Sequence, residues 1–182
     1  VIISVERRHW WIGATICLLV IAAFLLHRRP PVYIAPEAVW RQAQIEGRKH
    51  DLEPAFLLAI AMAESSFNAH ADSGYARGLM QVSAGTWRDM THRPYRAAFD
   101  WRRNMAVAAR YLATTRDQLV EAGRFDDARL AAAYRHGYGA LLQADFDLSR
   151  LPQPRNRVYQ ELFAGRVPPP AQFGVNTPDR QQ

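Results

Sequence analysis

A chain of 182 residues, 49% of them apolar, is long enough for one hydrophobic core of ordinary size plus an appendage. Its formal charge is +6, with arginine supplying every basic residue except Lys49, an excess that suits an anionic surface such as phospholipid, nucleic acid or wall polymer. No zinc-finger spacing, RNP-like aromatic motif or patterned basic helix accompanies the charge, so nucleic acid is not an expected partner, and the lone Cys17 excludes an internal disulfide.

Residues 10–26, WWIGATICLLVIAAFLL, carry no charge over 17 positions. A membrane-spanning helix needs roughly 20 apolar residues and tolerates about 17. Paired tryptophans at one end and His27-Arg28-Arg29 at the other suit the two membrane interfaces. A cleaved signal peptide has the same basic start and apolar run, but no small-x-small cleavage site follows Leu26. The expectation is therefore an uncleaved single-pass anchor over 1–29. Arg7-Arg8 and Arg28-Arg29 balance, so the flanks leave its orientation open. Pro30 and Pro31 interrupt the helix and open a short linker, 30–35.

A helix is predicted from Pro36 through EAVWRQAQIEGRKH, with Val39 and Ala43 on its inner edge and Trp40 as a packing residue. Asp51 is the expected cap of a second helix that opens on Pro54. Phe56, Ile60 and Glu64 follow there at i, i+4 and i+8, so one face carries two apolar side chains and a carboxylate. Ala59, Ala61 and Ala63 permit close helix contacts, which makes this helix nearly central. Ser65-Ser66 ends it and leaves Glu64 in its last turn. Acidic side chains are rarely set on such a face without a partner or a task. Spacing alone nevertheless leaves Glu64 open between an ordinary end-of-helix carboxylate and a functional one.

Residues 68–77 show no helical period, and Gly74 and Gly78 punctuate them. Gly78 is singled out for its missing side chain, either for a close backbone approach or as a plain turn glycine. Leu79 to Val82 reads as a short helical turn. After the break at Pro94, Asp100 is the expected cap of a long helix over 101–120, with Met105, Ala108, Ala109, Leu112 and Leu119 inward. Gly123 closes it, Asp126-Asp127 begins a helix over 128–134, and another covers 155–163 with Val158, Leu162 and Phe163 inward. Past Arg166, VPPPAQFGVNTPDRQQ reads as a stiff start followed by a flexible tail, 166–182. Strand alternation is scarce, so the domain over 36–165 is expected to be predominantly α-helical. There is no internal repeat, phosphate loop or dinucleotide fingerprint, and His50, His70, His92 and His136 are too separated for a zinc site. No metal and no cofactor are expected.

ESSF at 64–67, Ala71, Ser73, GLMQ at 78–81 and Thr86 are followed by Asn104, Tyr111-Leu112, AAAYRHG at 131–137, and Asn156 with Tyr159. In this order, over about residues 36–165, they resemble the signature of lytic transglycosylases of the soluble-transglycosylase type, members of the lysozyme-like superfamily similar in fold to goose-type lysozyme. The resemblance implies cleavage of the β-1,4 bond between N-acetylmuramic acid and N-acetylglucosamine in peptidoglycan, with a 1,6-anhydromuramyl product. It implies that Glu64 is the acid-base residue and that Gly78, Leu79, Met80 and Gln81 form wall near the scissile sugar. Tyr134 is implied beside the carboxylate, Tyr159 matches a late motif tyrosine, and Asn104 supports the site from below. It also implies a catalytic domain facing the periplasm from the inner membrane.

Three departures bear on substrate contacts. The interval from Ser73 to Gly78 is one residue shorter than the family's usual loop. Ala84 stands where proline is usual. Arg135 and His136 replace asparagine and alanine after the motif tyrosine and bring positive charge toward an anionic stem peptide. They leave room for narrow substrate choice or for service to a cell-envelope or secretion assembly. A hydrolytic lysozyme-like muramidase and an inactive peptidoglycan-binding or envelope-assembly protein are the alternatives to the transglycosylase reading.

Overall fold

The computed structural model describes residues 29–176 and, before them, Thr15. Its helices are α1 (Pro36–His50), α2 (Pro54–Ser65), α3 (Ala84–Met90), α4 (Trp101–Glu121), α5 (Asp127–His136), α6 (Tyr138–Gln143) and α7 (Arg157–Phe163). Short 3-10 turns cover Tyr95–Phe99, Leu148–Arg150 and Pro170–Phe173. Two antiparallel strands, β1 (Ala76–Arg77) and β2 (Val82–Ser83), pair Ala76 with Ser83 and Arg77 with Val82. The described residues from Pro31 onward belong to one compact unit, predominantly α-helical as the sequence predicts.

The core is built around α2. Every residue from Ala55 to Ala61 is buried, so this helix is apolar all round and is covered on all sides. It packs against α1, α7 and the Pro170–Phe173 turn, while α1 also meets α4, and α5 joins α4, α6 and α7. Burying a side chain such as Leu57 or Ile60, both at 0% exposure, contributes about 1.5–3 kcal/mol relative to leaving it in water. The inward positions predicted for α4, Met105, Ala108, Ala109, Leu112 and Leu119, are all buried. Asp100 caps that helix by accepting from the Arg103 amide, and Asp126 caps α5 by accepting from Arg129.

Several expectations are corrected. Asp51 does not cap α2; it ends α1 in a left-handed conformation, and the Glu53 carboxylate caps α2 by accepting from the Ala55 amide. The linker 30–35 is docked, because Ile34 N–H donates to Phe67 O at 3.0 Å and Ala69 N–H to Val32 O at 2.8 Å. The proline-rich segment after Arg166 contributes Phe173 and Val175 to the core, at 7% and 2% exposure. The 79–82 stretch is not helical; it forms the turn and second strand of the hairpin.

The expected transmembrane helix, and with it the inner-membrane, periplasm-facing placement, is also corrected: among the described residues no helix is long and apolar enough to cross a membrane. The apolar run over 10–26 lies outside the described residues apart from Thr15. The apolar helix that is described, α2, has 12 residues and is about 18 Å long, against a hydrocarbon thickness of about 30 Å. Its apolar surface faces the core of the domain.

Candidate active site

Glu64 occupies the last turn of α2, as its spacing predicts, and is half-buried. The helix stops just beyond it because Ser66 and Phe67 take left-handed conformations, with φ of 52° and 64°. Burial raises the Glu64 carboxyl above the ordinary carboxylate range, because the charged form loses hydration. Two groups oppose that rise, the Tyr159 hydroxyl, which donates to Glu64 Oε1, and the positive charge of Arg135. Burial, and then the nearby Glu64 charge, push the Tyr134 and Tyr159 phenols well above their ordinary range, so both remain protonated donors.

A second set of contacts fixes the loop that Ser65, the neighbour of Glu64, binds through Leu79 O. Gly78 has φ of +82°, and a Cβ built on it would stand 2.2 Å from Ala98 O and 2.5 Å from Asn104 Nδ2. The loop backbone at Gly78 is thus packed directly against Ala98 and Asn104, with no room for a side chain. Fully buried Asn104 uses both ends of its amide on the loop: Oδ1 accepts from Met80 N–H at 2.7 Å, and Nδ2 donates to Arg77 O at 2.9 Å. The Tyr134 hydroxyl donates to Met80 O at 2.7 Å, and Ser65 Oγ donates to Leu79 O, also at 2.7 Å. The turn is thus tied to α2, α4 and α5. Gln81, at φ of 48°, closes it from within by donating from Nε2 to Ala71 O and Gly78 O.

These contacts redistribute the residues singled out in the sequence. The carboxylate's hydrogen-bonded tyrosine is Tyr159; Tyr134 is close enough to feel the charge of Glu64, but its hydroxyl is engaged on Met80. Leu79 and Met80 are at 0% exposure, so they belong to the core rather than to an exposed wall. Ser73 is exposed in a tight turn, where its backbone amide donates to Ala76 O and its Oγ accepts from the Ala76 amide. Arg135 is exposed, with its guanidinium over the Tyr159 ring at 4.7 Å from the centroid. Two residues were not recognised from the sequence as supports. Ser65 was visible as the neighbour of Glu64 in ESSF. Asn156 caps α7 with Oδ1 and donates from Nδ2 to Ala63 O at 3.3 Å, joining the helix of Tyr159 to that of Glu64.

Ala84 is the first residue of α3, capped by Ser83 Oγ accepting from Thr86 N–H at 3.1 Å. Proline is favoured at that position and alanine is tolerated, so the departure at 84 costs the helix little. The other carboxylates considered beside Glu64 have separate places. Asp72 pairs with Arg77 at 3.0 Å, Asp100 caps α4, and Asp89 is exposed. Among the described residues there is no group of three or more His, Cys, Asp or Glu that could hold a metal ion.

Replacing Tyr159 with phenylalanine removes the donor on Glu64 and leaves the ring. The expected result is a Glu64 titration displaced further upward and a loss of about 1.5–3 kcal/mol at neutral pH, the usual worth of a hydrogen bond to a charged group. The loss should shrink in acid, where Glu64 is protonated and the bond no longer serves a charge. Thermal melts of both proteins across pH 4–8 check this; a pH-independent loss would count against the bond.

The family model for the transglycosylase SLT domain matches residues 41–146. No curated protein matches. Among solved structures, the chain is similar to the X-ray structure of an inactive glutamate-to-glutamine mutant of the lytic transglycosylase Slt from Pseudomonas aeruginosa. The TM-score is 0.51 at 24% identity over 68% of this chain and 20% of that one. That likeness concerns the fold, and the chain spans about a fifth of the Slt protein. The family match runs from α1 through the Glu64 helix, the Gly78 loop and α5, over more than half of the chain, and this chain belongs to the transglycosylase SLT domain family.

Proposed function

We propose that this chain is a peptidoglycan lytic transglycosylase that cleaves the β-1,4 bond between N-acetylmuramic acid and N-acetylglucosamine. The observation that carries the reading is the half-buried carboxyl of Glu64, held up in pKa by burial and acted on, among the described residues, by a tyrosine hydroxyl and an arginine rather than by a second carboxylate. Glycosidases commonly use two carboxylates. One carboxyl suffices when the substrate supplies the nucleophile. Glu64 donates its proton to the glycosidic oxygen as the C1–O4 bond breaks, and the muramic acid N-acetyl oxygen bonds to C1. The Glu64 carboxylate then takes the proton of the C6 hydroxyl, whose oxygen displaces the acetamido oxygen from C1 and closes the 1,6-anhydro ring. No water is consumed and the proton count balances. The similar Slt protein is inactive as a glutamate-to-glutamine mutant, in keeping with a required glutamate.

In this reading Gly78, Asn104, Gln81 and Tyr134 hold the loop that faces the sugar, and Ser73 shapes its tip. Leu79 and Met80 anchor that loop in the core, with both carbonyls and the Met80 amide hydrogen-bonded internally, and Tyr159 and Arg135 set the state of Glu64. Digestion of purified sacculi tests the reading. Release of 1,6-anhydromuramyl ends is the expected product. New reducing ends would identify a hydrolytic muramidase, and binding without cleavage would identify an inactive wall-binding protein.

A further inference from the structure

We propose that Arg135 is a positioning residue for Glu64, its guanidinium lying over the Tyr159 ring whose hydroxyl donates to the carboxylate. The three groups come from three helices in sequence order α2, α5 and α7, and they form one chain of contacts. Arg135 Cζ is 4.7 Å from the Tyr159 centroid, and Tyr159 donates to Glu64 Oε1. Among the described residues Arg135 forms no ion pair with a carboxylate, so its charge is not neutralised locally. A planar guanidinium stacks on an aromatic face, whereas an ammonium offers a point charge on a flexible stem. A cation over the ring also withdraws electron density from the phenol and strengthens its O–H as a donor. The charge of Arg135 lowers both the Tyr159 phenol and the Glu64 carboxyl against the rise that burial imposes.

The reaction gives this counterweight a use. Glu64 has to enter protonated and then serve as a base, so burial alone, which favours the protonated form, would help the first stage at the expense of the second. The groups facing Glu64 are Tyr159 from α7 and Tyr134 and Arg135 from α5; Arg135 is the cation among them. Arg135 stands where the family resemblance leads one to expect a neutral asparagine, so the effect belongs to this chain's own sequence.

The proposal rests on the transglycosylase reading for its consequence, but its physical core is measured without activity. The Glu64 carboxyl is titrated by carbon NMR in the full chain, its resonance assigned by its absence from Glu64→Gln. The variants are Arg135→Ala, Arg135→Lys and Arg135→Gln; the last keeps a planar group over the ring without charge and decides the matter if the alanine protein fails to fold. Removing the charge should move the Glu64 titration to higher pH, with the lysine protein between glutamine and wild type. On sacculi the alkaline limb of kcat/KM should move the same way. At the wild-type optimum kcat should fall roughly 3- to 10-fold with KM within about twofold, as for a mismatched acid-base pKa. An unchanged titration in the uncharged variants overturns the proposal. So does an unmoved pH profile with a loss confined to peptide-bearing strands over bare glycans, which would make Arg135 a stem-peptide contact. If wild type proves unable to cleave sacculi, the functional reading fails, while the titration still decides whether Arg135 acts on Glu64.

Discussion

Glu64→Gln is expected to lower anhydromuropeptide release from sacculi by at least about 10²–10⁴-fold, the usual worth of positioned acid-base assistance, with fold and sacculus binding retained. The amide keeps the shape of the carboxyl and can still accept from the Tyr159 hydroxyl, but it has no exchangeable proton to give. One residue serves both stages in the proposed reaction, so no second group rescues either. The same substitution should stabilise the domain in a pH-dependent way. The folded-state carboxyl is raised above its ordinary value of 4.5, so the native state holds more protons than the unfolded one between that value and the raised one. Stability contributed by protonated Glu64 is present below the lower value and is lost as pH rises through the upper one. The melting temperature of Glu64→Gln should therefore match wild type in acid and exceed it as pH rises through the raised Glu64 value. Full activity in a verified Glu64→Gln protein would remove the mechanism. Lost activity with retained circular dichroism and binding would leave a purely structural role without support.

The parts of this site that the sequence made legible are those written in a local pattern. Glu64 follows two apolar residues at helical spacing, and α4 carries its period over 21 residues with a capping aspartate in front. Short elements carry no such period. The seven residues of α3 and six of α6 span two turns or fewer, and strands of two residues cannot show alternation. The tyrosine on Glu64 is 95 positions away in sequence, and Tyr134 and Tyr159 differ only in how α5 and α7 meet α2. The motif named both tyrosines, but only their packing shows which hydroxyl reaches the carboxylate. Leu79 and Met80 illustrate the reverse case. Motif residues read as wall turn out to be core, because a turn bound through its carbonyls by Ser65 and Tyr134 directs its side chains inward.

Gly78→Ala is expected to destabilise the domain by about 3–5 kcal/mol, on the order of 10 °C in melting temperature, and to depress activity along with it. Two costs combine. A left-handed backbone penalises any Cβ by roughly 1–2 kcal/mol, and here the new methyl would also meet Ala98 O at 2.2 Å and the Asn104 amide at 2.5 Å. Neither neighbour yields easily. Ala98 is buried in the Tyr95–Phe99 turn, and moving Asn104 breaks its bonds to Met80 N–H and Arg77 O. Any shift in the loop also moves Met80 O away from Tyr134, so the damage reaches the elements around Glu64. Gly74→Ala separates the two costs. Its φ of +84° is nearly the same, but nothing lies within 4 Å of the added carbon. That variant should lose only the backbone share, about 1–2 kcal/mol, and retain activity. Denaturant melts of the two proteins make the comparison direct. Equal losses at 74 and 78 would mean that the contact with Ala98 and Asn104 carries no energy, and that the turn tolerates a side chain where the geometry says it cannot.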